Sequence, residues 1–467
     1  MERNLTAGQL AGKHFEDDAC PDRLSALPND VLLRILLDLE DAAAAGQTSV
    51  LSSRWRRLWT LLPELRFPSS SDHSLIASAL AAHEAPLSVL DVQTQDAASE
   101  SVAAWLPVAA RRVSGRLVFT NQVVPGRNDD DNGDKRGAFD LPCLDKATSV
   151  SLDLGCLGVA VPRAGVSARL TELCLAHATF RRGPCALGDA VSSRRCPCLQ
   201  KLEVKDTWGL DDLTIRSDSL RHMELAEVRG LRQLTIVAPA LEHLKVFCCF
   251  YYCRNRPVAD ISARQLKVLM WGDLFDRRSV RLGKMKHLQS VCPDMLLVYG
   301  ASPNRPCLEL LRCFKIIQEL SLTLAYEADI HNKPYLLEAI KVLPGVTFLH
   351  LSIVSNGHAV GASIFHVLEQ TACPPGCVKT EDLLLNHLGE VKISEFRGSD
   401  HEVTFMKHLF NWAVVVRKMT VSFNSVVTES TAKKLYQILR SFSRPEICME
   451  FYMRKDTVKV LYVPKDH

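Results

Sequence analysis

Residues 199–247 read LQKLEVKDTWGLDDLTIRSDSLRHMELAEVRGLRQLTIVAPALEHLKVF. One spacing recurs in them: apolar, two residues, apolar, one residue, apolar. It gives Leu199-Leu202-Val204, Leu220-Met223-Leu225 and Leu241-Leu244-Val246, with starts 21 residues apart. A second series, Leu210-Leu213-Ile215 and Leu231-Leu234-Ile236, lies between them, so the starts fall every 10 or 11 residues. The last two apolar positions of each copy alternate, which puts both side chains on one face of a short strand. Too few residues remain between copies for a full helix. Both walls of this stretch are therefore expected to be extended.

The same spacing extends outward in both directions. Earlier copies are Leu87-Leu90-Val92 and Leu170-Leu173-Leu175. Later ones are Ile317-Leu320-Leu322, Val346-Leu349-Leu351, Leu388-Val391-Ile393 and Val416-Met419-Val421. Separations of 21 and 29 residues mark the two ends of the leucine-rich-repeat range. One such strand cannot bury its apolar face alone, whereas stacked copies can, which predicts a solenoid with helices in the longer repeats. The other reading is a set of unrelated strands in an α/β domain. Asn or Cys usually follows the last leucine-type position by three residues. Only Cys249 clearly fills that slot, so the repeats are irregular.

Composition narrows the function classes. Of 467 residues, 47% are hydrophobic and 23% charged, which suits a folded chain of several domains. With 56 basic residues against 53 acidic, the net charge of +3 holds no basic excess for nucleic acid. The first twenty residues are polar and carry no apolar core of a signal peptide, so an intracellular chain with reduced cysteines is expected. No apolar run approaches the length of a membrane span. Residues 128–137, NDDDNGDKRG, read as a mobile loop, because they lack the alternation and distal Glu of a calcium loop.

Residues 21–67 follow another rule. Pro28 suits a helix start, and Asn29 and Asp30 offer a capping side chain and a negative charge near the helix dipole. The helix that follows is apolar nearly all round, with only Asp30, Arg34 and Asp38 in a polar stripe. Such a helix needs cover on more than one side, from the rest of the chain or from another protein. A further helix, residues 52–60, sets Trp55, Leu58 and Trp59 on one face and Arg54, Arg56 and Arg57 outside.

At these residues the chain resembles a known family. DRLSALPNDVLLRILLDL and TSVLSSRWRRLWTLLPELRF, within residues 22–67, are similar to the F-box of plant F-box proteins. Leu27-Pro28, the Leu/Ile helix, residues 48–52 and Arg54-Trp55 carry the match. Residues 387–423 resemble the FBD domain that follows leucine-rich repeats in many of these proteins. Gly46-Gln47, in the second of the family's helices, departs from the usual Ala-Arg-like pair, and a mid-helix Gly costs about 1 kcal/mol relative to Ala, so that helix is expected to fray or bend.

The resemblance implies an α/β chain with a small three-helix F-box at 21–67 after a disordered tail at 1–20. Irregular leucine-rich repeats follow at 68–372, and an FBD-like segment at 373–467. It implies a substrate-recognition subunit of a Skp–cullin–F-box ubiquitin ligase, non-catalytic and without cofactor, in the nucleus or cytoplasm. The F-box would dock on a Skp-type adaptor, and through it a cullin–RING ligase, by burying Leu27, Pro28, Leu32, Ile35, Leu36, Val50 and Trp55. The alternative is an interaction scaffold whose F-box is degenerate or serves other complexes.

Recognition of an unknown protein substrate is expected on the outward strand positions. These include Glu203, Lys205, His222, Glu224, Lys245 and Phe247, a mixed-charge set with an aromatic anchor. No complete catalytic or nucleotide-binding motif occurs. Cys373-Pro-Pro-Gly-Cys377 and Cys248-Cys249 with Cys253 come nearest to metal spacing, and neither has a second pair at zinc-ribbon distance. Neither nucleic acid nor membrane is expected as a partner.

Overall fold

The computed structural model describes residues 27–68, 73–123, 137–181, 186–250, 258–302, 304–340, 343–369, 388–412, 416–455 and 458–463. The expected tail, the loop at 128–136, Cys253, Cys373 and Cys377 lie outside the described residues.

The described chain is a mixed α/β repeat structure. Its main sheet has 18 strands. From Glu64–Phe67 and Leu87–Gln95 onward, successive strands pair in parallel across the sheet, and only the last pair, Cys448–Lys455 with Val458–Leu461, is antiparallel. The repeat positions read from the sequence are the register of this ladder. Leu173 pairs with Leu202, Leu202 with Met223, Met223 with Leu244 and Leu244 with Leu269. Two residues on, Leu175, Val204, Leu225, Val246 and Trp271 form the next row. Each of these side chains is almost wholly buried.

The intercalated series builds a second wall. Asp212–Arg216, Gln233–Val237, Val258–Ser262 and Val280–Leu282 make a four-stranded parallel sheet. Leu213, Leu234 and Ala259 align in it, as do Ile215, Ile236 and Ile261. Helices return in the longer connections: Ser99–Arg112, Gly361–Glu369, Asp400–Trp412 and Glu429–Phe442. The sheet continues from Gly345–Val354 into Leu388–Phe396 and Lys418–Phe423, so the segment resembling an FBD domain extends the same ladder.

The irregularity at the turn slot has a backbone cause. His177, Asp206, Glu227, Cys248 and Glu395 follow the second strand leucine position by two residues, and all have positive φ near 50°. A left-handed residue there interrupts the strand's alternation and reverses which face the next side chain takes, while Asp206 and Glu227 leave the register between their strands unchanged. Ala178, Thr207, Val228, Cys249 and Phe396 come next, and each is fully buried. The slot that Cys249 fills is thus occupied in other copies by whatever small or apolar side chain fits the core.

Candidate functional site

The N-terminal helices place the first set of candidate residues. Asn29–Asp38 is followed by Ala42–Gln47, a 3-10 turn at Thr48–Val50, and Ser53–Leu58. Pro28 is exposed and holds the N-cap position, but its cap has no side-chain hydrogen bond. The expected capping role of Asn29 gives way to another. Its Oδ1 accepts from Arg54 Nε at 2.8 Å, and Arg54 Nη2 also donates to the Leu27 carbonyl at 2.5 Å. Arg54 therefore pins the start of the first helix to the third. Asp41 caps the second helix, and Ser52 caps the third through the Trp55 N–H. The second helix is only six residues long and passes into the 3-10 turn just after Gly46-Gln47.

Burial divides the expected adaptor residues in two. Leu32, Leu36 and Trp55 lie in the chain's own core with Leu58, Leu62 and Leu65, and Leu27 packs half-buried against it. The expectation that these three bury themselves in a partner is corrected: they have almost no surface left to lose. The strand Glu64–Phe67 joins the main sheet directly, so the sheet supplies the cover that a 45-residue module lacks. A neighbouring stripe remains open. Val31, Ile35 and Leu39, spaced i, i+4, i+8, keep 39%, 37% and 44% of their surface exposed. Val50 is 87% exposed and the adjoining Leu51 62%. Of the sequence-predicted residues, Pro28, Ile35 and Val50 face solvent. Val31, Leu39 and Leu51 join them, and the near-complete apolarity of the first helix was the signal for Val31 and Leu39.

The second set lies on the outward face of the main sheet. Glu203 and Glu224 stand directly opposite on neighbouring strands, a pairing that is unfavourable for like charges. Lysines resolve it. Lys201 and Lys205 reach Glu203 at 2.7 and 2.8 Å, Lys205 also reaches Glu224 at 3.3 Å, and Lys245 closes on Glu224 at 2.8 Å. Burial pushes the Glu203 carboxyl up, but the hydrogen bonds from both lysines outweigh it and bring it down to about 2.

In the neighbouring row the rings of His222 and His243 stack with centroids 4.4 Å apart and planes 7° from parallel. Burial, and then the nearby His222, push the His243 imidazole below its ordinary value. Phe247 is 36% exposed and lies across Gly272, where a Cβ would come within 2.4 Å of its ring. All six residues expected on this face are thus brought onto it, four of them in one chain of ion pairs. Lys201, His243 and Met270 share the face as well. Strand alternation around Leu202, Leu244 and Leu269 was enough to find them. Among the described residues no three His, Cys, Asp or Glu side chains converge as metal ligands, and no helix is long and apolar enough to cross a membrane.

No protein-family model matches the chain. Curated relatives do. The chain is 28% identical over 262 residues to a putative F-box/FBD/LRR-repeat protein of Arabidopsis thaliana, which covers 54% of this chain and 51% of that protein. A second putative protein of this description from the same plant is 39% identical over 87 residues, covering 17% of this chain and 20% of its own length. An Arabidopsis F-box/FBD/LRR-repeat protein is 50% identical over 58 residues, covering 12% of this chain and 13% of its own. The chain thus spans about half the length of the first relative and a fifth or less of the other two. These matches bear out the resemblance read from the sequence: the chain is similar to plant F-box proteins with leucine-rich repeats and an FBD segment.

Proposed function

We propose that this chain is the substrate-recognition subunit of a Skp–cullin–F-box ubiquitin ligase. Residues 21–67 act as a three-helix F-box that docks on a Skp-type adaptor, and the strand ladder acts as a leucine-rich-repeat solenoid that holds the protein to be ubiquitinated. The observation that carries the reading is the open apolar stripe of Val31, Ile35 and Leu39, together with Val50 and Leu51, on a helical unit whose other face is already buried. Apolar surface of this kind is what a partner's groove covers, and a few such side chains hold most of the binding energy of an interface. The relatives' names support the same assignment. In this reading the chain is not itself an enzyme. The other ligase subunits transfer ubiquitin, and the complex works in the nucleus or cytoplasm.

The test is capture of a purified Skp-type adaptor, and of a cullin through it, by the full chain. Wild type is expected to retain both, and an Ile35→Asp, Val50→Asp, Leu51→Asp variant to retain neither. A wild-type chain that captures no adaptor overturns the reading. One that captures adaptor but never a cullin favours the scaffold alternative.

A further inference from the structure

The last strand of the main sheet, Val458–Leu461, pairs with Cys448–Lys455 on one side, and among the described residues no strand pairs with its other edge. The Tyr462 N–H donates to the Phe451 carbonyl at 2.8 Å, which makes these two a hydrogen-bonded pair of the antiparallel ladder. Leu461 opposite Tyr452 and Lys459 opposite Arg454 are then the pairs without mutual hydrogen bonds. The backbone N–H and C=O groups of Lys459 and Leu461 therefore point away from the sheet, towards the open edge. The strand is held from the inner side. The Tyr462 ring meets Phe423 and Tyr436 edge-on, with centroids 6.1 and 6.3 Å away.

The same two residues present exposed side chains on the outward face, Leu461 at 54%. Lys459 stands directly opposite Arg454, an unfavourable placement for like charges. Its ammonium lies over the Tyr452 ring, 4.5 Å from the centroid. Burial, then Lys392 and Arg454, push it below its ordinary value, and Glu450 pulls the other way. The carboxylates at this end are already engaged. Glu450 takes Lys418 at 3.1 Å and the Tyr452 hydroxyl at 3.2 Å, and Glu390 lies 3.4 Å from His350 Nδ1. No described carboxylate pairs with Lys392, Arg454 or Lys459, all three exposed. Lys392, Lys418, Arg454 and Lys459 thus face Glu390 and Glu450, which leaves cations over. Lys455 and Asp456, next in sequence, add one charge of each sign. Glu429, which acts on Tyr462, starts the helix on the inner side, and that helix also carries Lys433, Lys434 and Arg440.

We propose that this open edge takes up an extended acidic segment of a partner protein as one more strand of the sheet. Its backbone pairs with the free peptide groups of Lys459 and Leu461. On the outward face it sets a carboxylate beside Lys459, Arg454 and Lys392, and two residues along an apolar side chain beside Leu461. A lysine on an edge strand guards against pairing with a second copy, because two such edges bring like charges together. The same lysine attracts a strand that carries carboxylates. The inference stands apart from the ligase reading, since it concerns the other end of the chain and applies to a scaffold equally.

The experiment is a fluorescence-anisotropy titration of the full chain into a labelled heptapeptide, Thr-Glu-Thr-Leu-Thr-Glu-Thr. Saturable binding that added salt weakens is expected, and none with Lys in place of Glu. Alternate amides of a strand point to opposite sides. N-methylation of the Glu and Leu amides, or of the Thr amides, should therefore abolish binding in one case and spare it in the other. The Arg454→Glu, Lys459→Glu variant should prefer the Lys peptide. Leu461→Pro removes one donor from the edge, a place where proline is tolerated, and should weaken binding tenfold or more. Absence of saturable binding by wild type, equal binding of the Lys peptide, full binding of both N-methylated peptides, or an unchanged preference in the charge-reversed variant overturns the proposal. So does a wild-type dimer in sedimentation that Leu461→Pro dissociates, which would assign the edge to a second copy of the chain.

Discussion

Asp273 is the turn residue of the strand next to Cys249, and its Oδ2 accepts the backbone N–H of Cys249 and, at 2.9 Å, that of Phe250. Oδ1 accepts the N–H of Leu274 at 2.9 Å. One buried carboxylate thus closes the turns of two successive repeats. Asn121 does the same for an earlier pair: it accepts from the Ala97 N–H at 2.8 Å and donates to the Leu154 carbonyl at 3.4 Å.

Asp273→Ala leaves the N–H groups of two buried residues without their acceptor. Each unsatisfied buried donor costs about 1–3 kcal/mol, so a loss of about 2–6 kcal/mol is expected. Asp273→Asn keeps one acceptor oxygen and should recover part of it. Urea unfolding of the three chains measures the difference, and equal midpoints would remove Asp273 from this role.

Gly46 sits in a helix where an added Cβ meets nothing within 4 Å. Gly46→Ala is expected to stabilise the N-terminal helices by about 1 kcal/mol, because Ala loses less backbone entropy. The urea midpoint should rise with an unchanged slope. A fall would mean that the bend after the second helix depends on glycine.

The buried and the open residues of the N-terminal helices should respond in opposite ways. Trp55→Ala empties a core position, and the usual cost is about 3–5 kcal/mol. Ile35→Asp alters a side chain 37% exposed and should change stability by about 1 kcal/mol or less while weakening adaptor capture tenfold or more. Thermal melts and adaptor titrations on both variants check the pair. Loss of capture without loss of stability in Trp55→Ala would reverse the assignment of the faces.

His177 Nδ1–H donates to Asp153 Oδ1 at 2.9 Å, and its Nε2 lies 3.9 Å from Asp206. The hydrogen bond to Asp153 raises the imidazole above its ordinary 6.5, outweighing burial. Its stabilisation is therefore fully present below pH 6.5, the unfolded value, and fades as pH rises through the higher folded value. His177→Asn should lose this pH dependence, and the wild-type advantage, under about 1 kcal/mol for a half-exposed pair, should be larger at about pH 5.5 than at about pH 8.5. Equal advantage at both values would show that protonation plays no part.

The ladder was legible because its information is local. In Leu199-Leu202-Val204 the alternation names the inward side chains, and the return of the pattern at Leu220 and Leu241 names the partners. The ionic face followed from the same alternation, since Glu203, Lys205, Glu224 and Lys245 occupy the positions left over. Asp273 and Asn121 were not legible. Each bonds groups 23 to 33 residues away in sequence, and nothing in the surrounding pattern distinguishes them from exposed turn residues.

The sequence by itself determined a repeat of stacked strands, its register and its outward surface, because a period-2 strand has only two faces and the apolar residues claim one. The helical module was different. Leu32 and Ile35, or Leu36 and Leu39, have the same chemistry, and a helix apolar nearly all round does not say which side its own chain will cover. That was decided by tertiary contacts: the strand Glu64–Phe67 joins the sheet, Arg54 ties Leu27 and Asn29 to the third helix, and Leu32, Leu36 and Trp55 turn inward. Val31, Ile35, Leu39, Val50 and Leu51 are left outside because the core has one open side and the sheet already fills it.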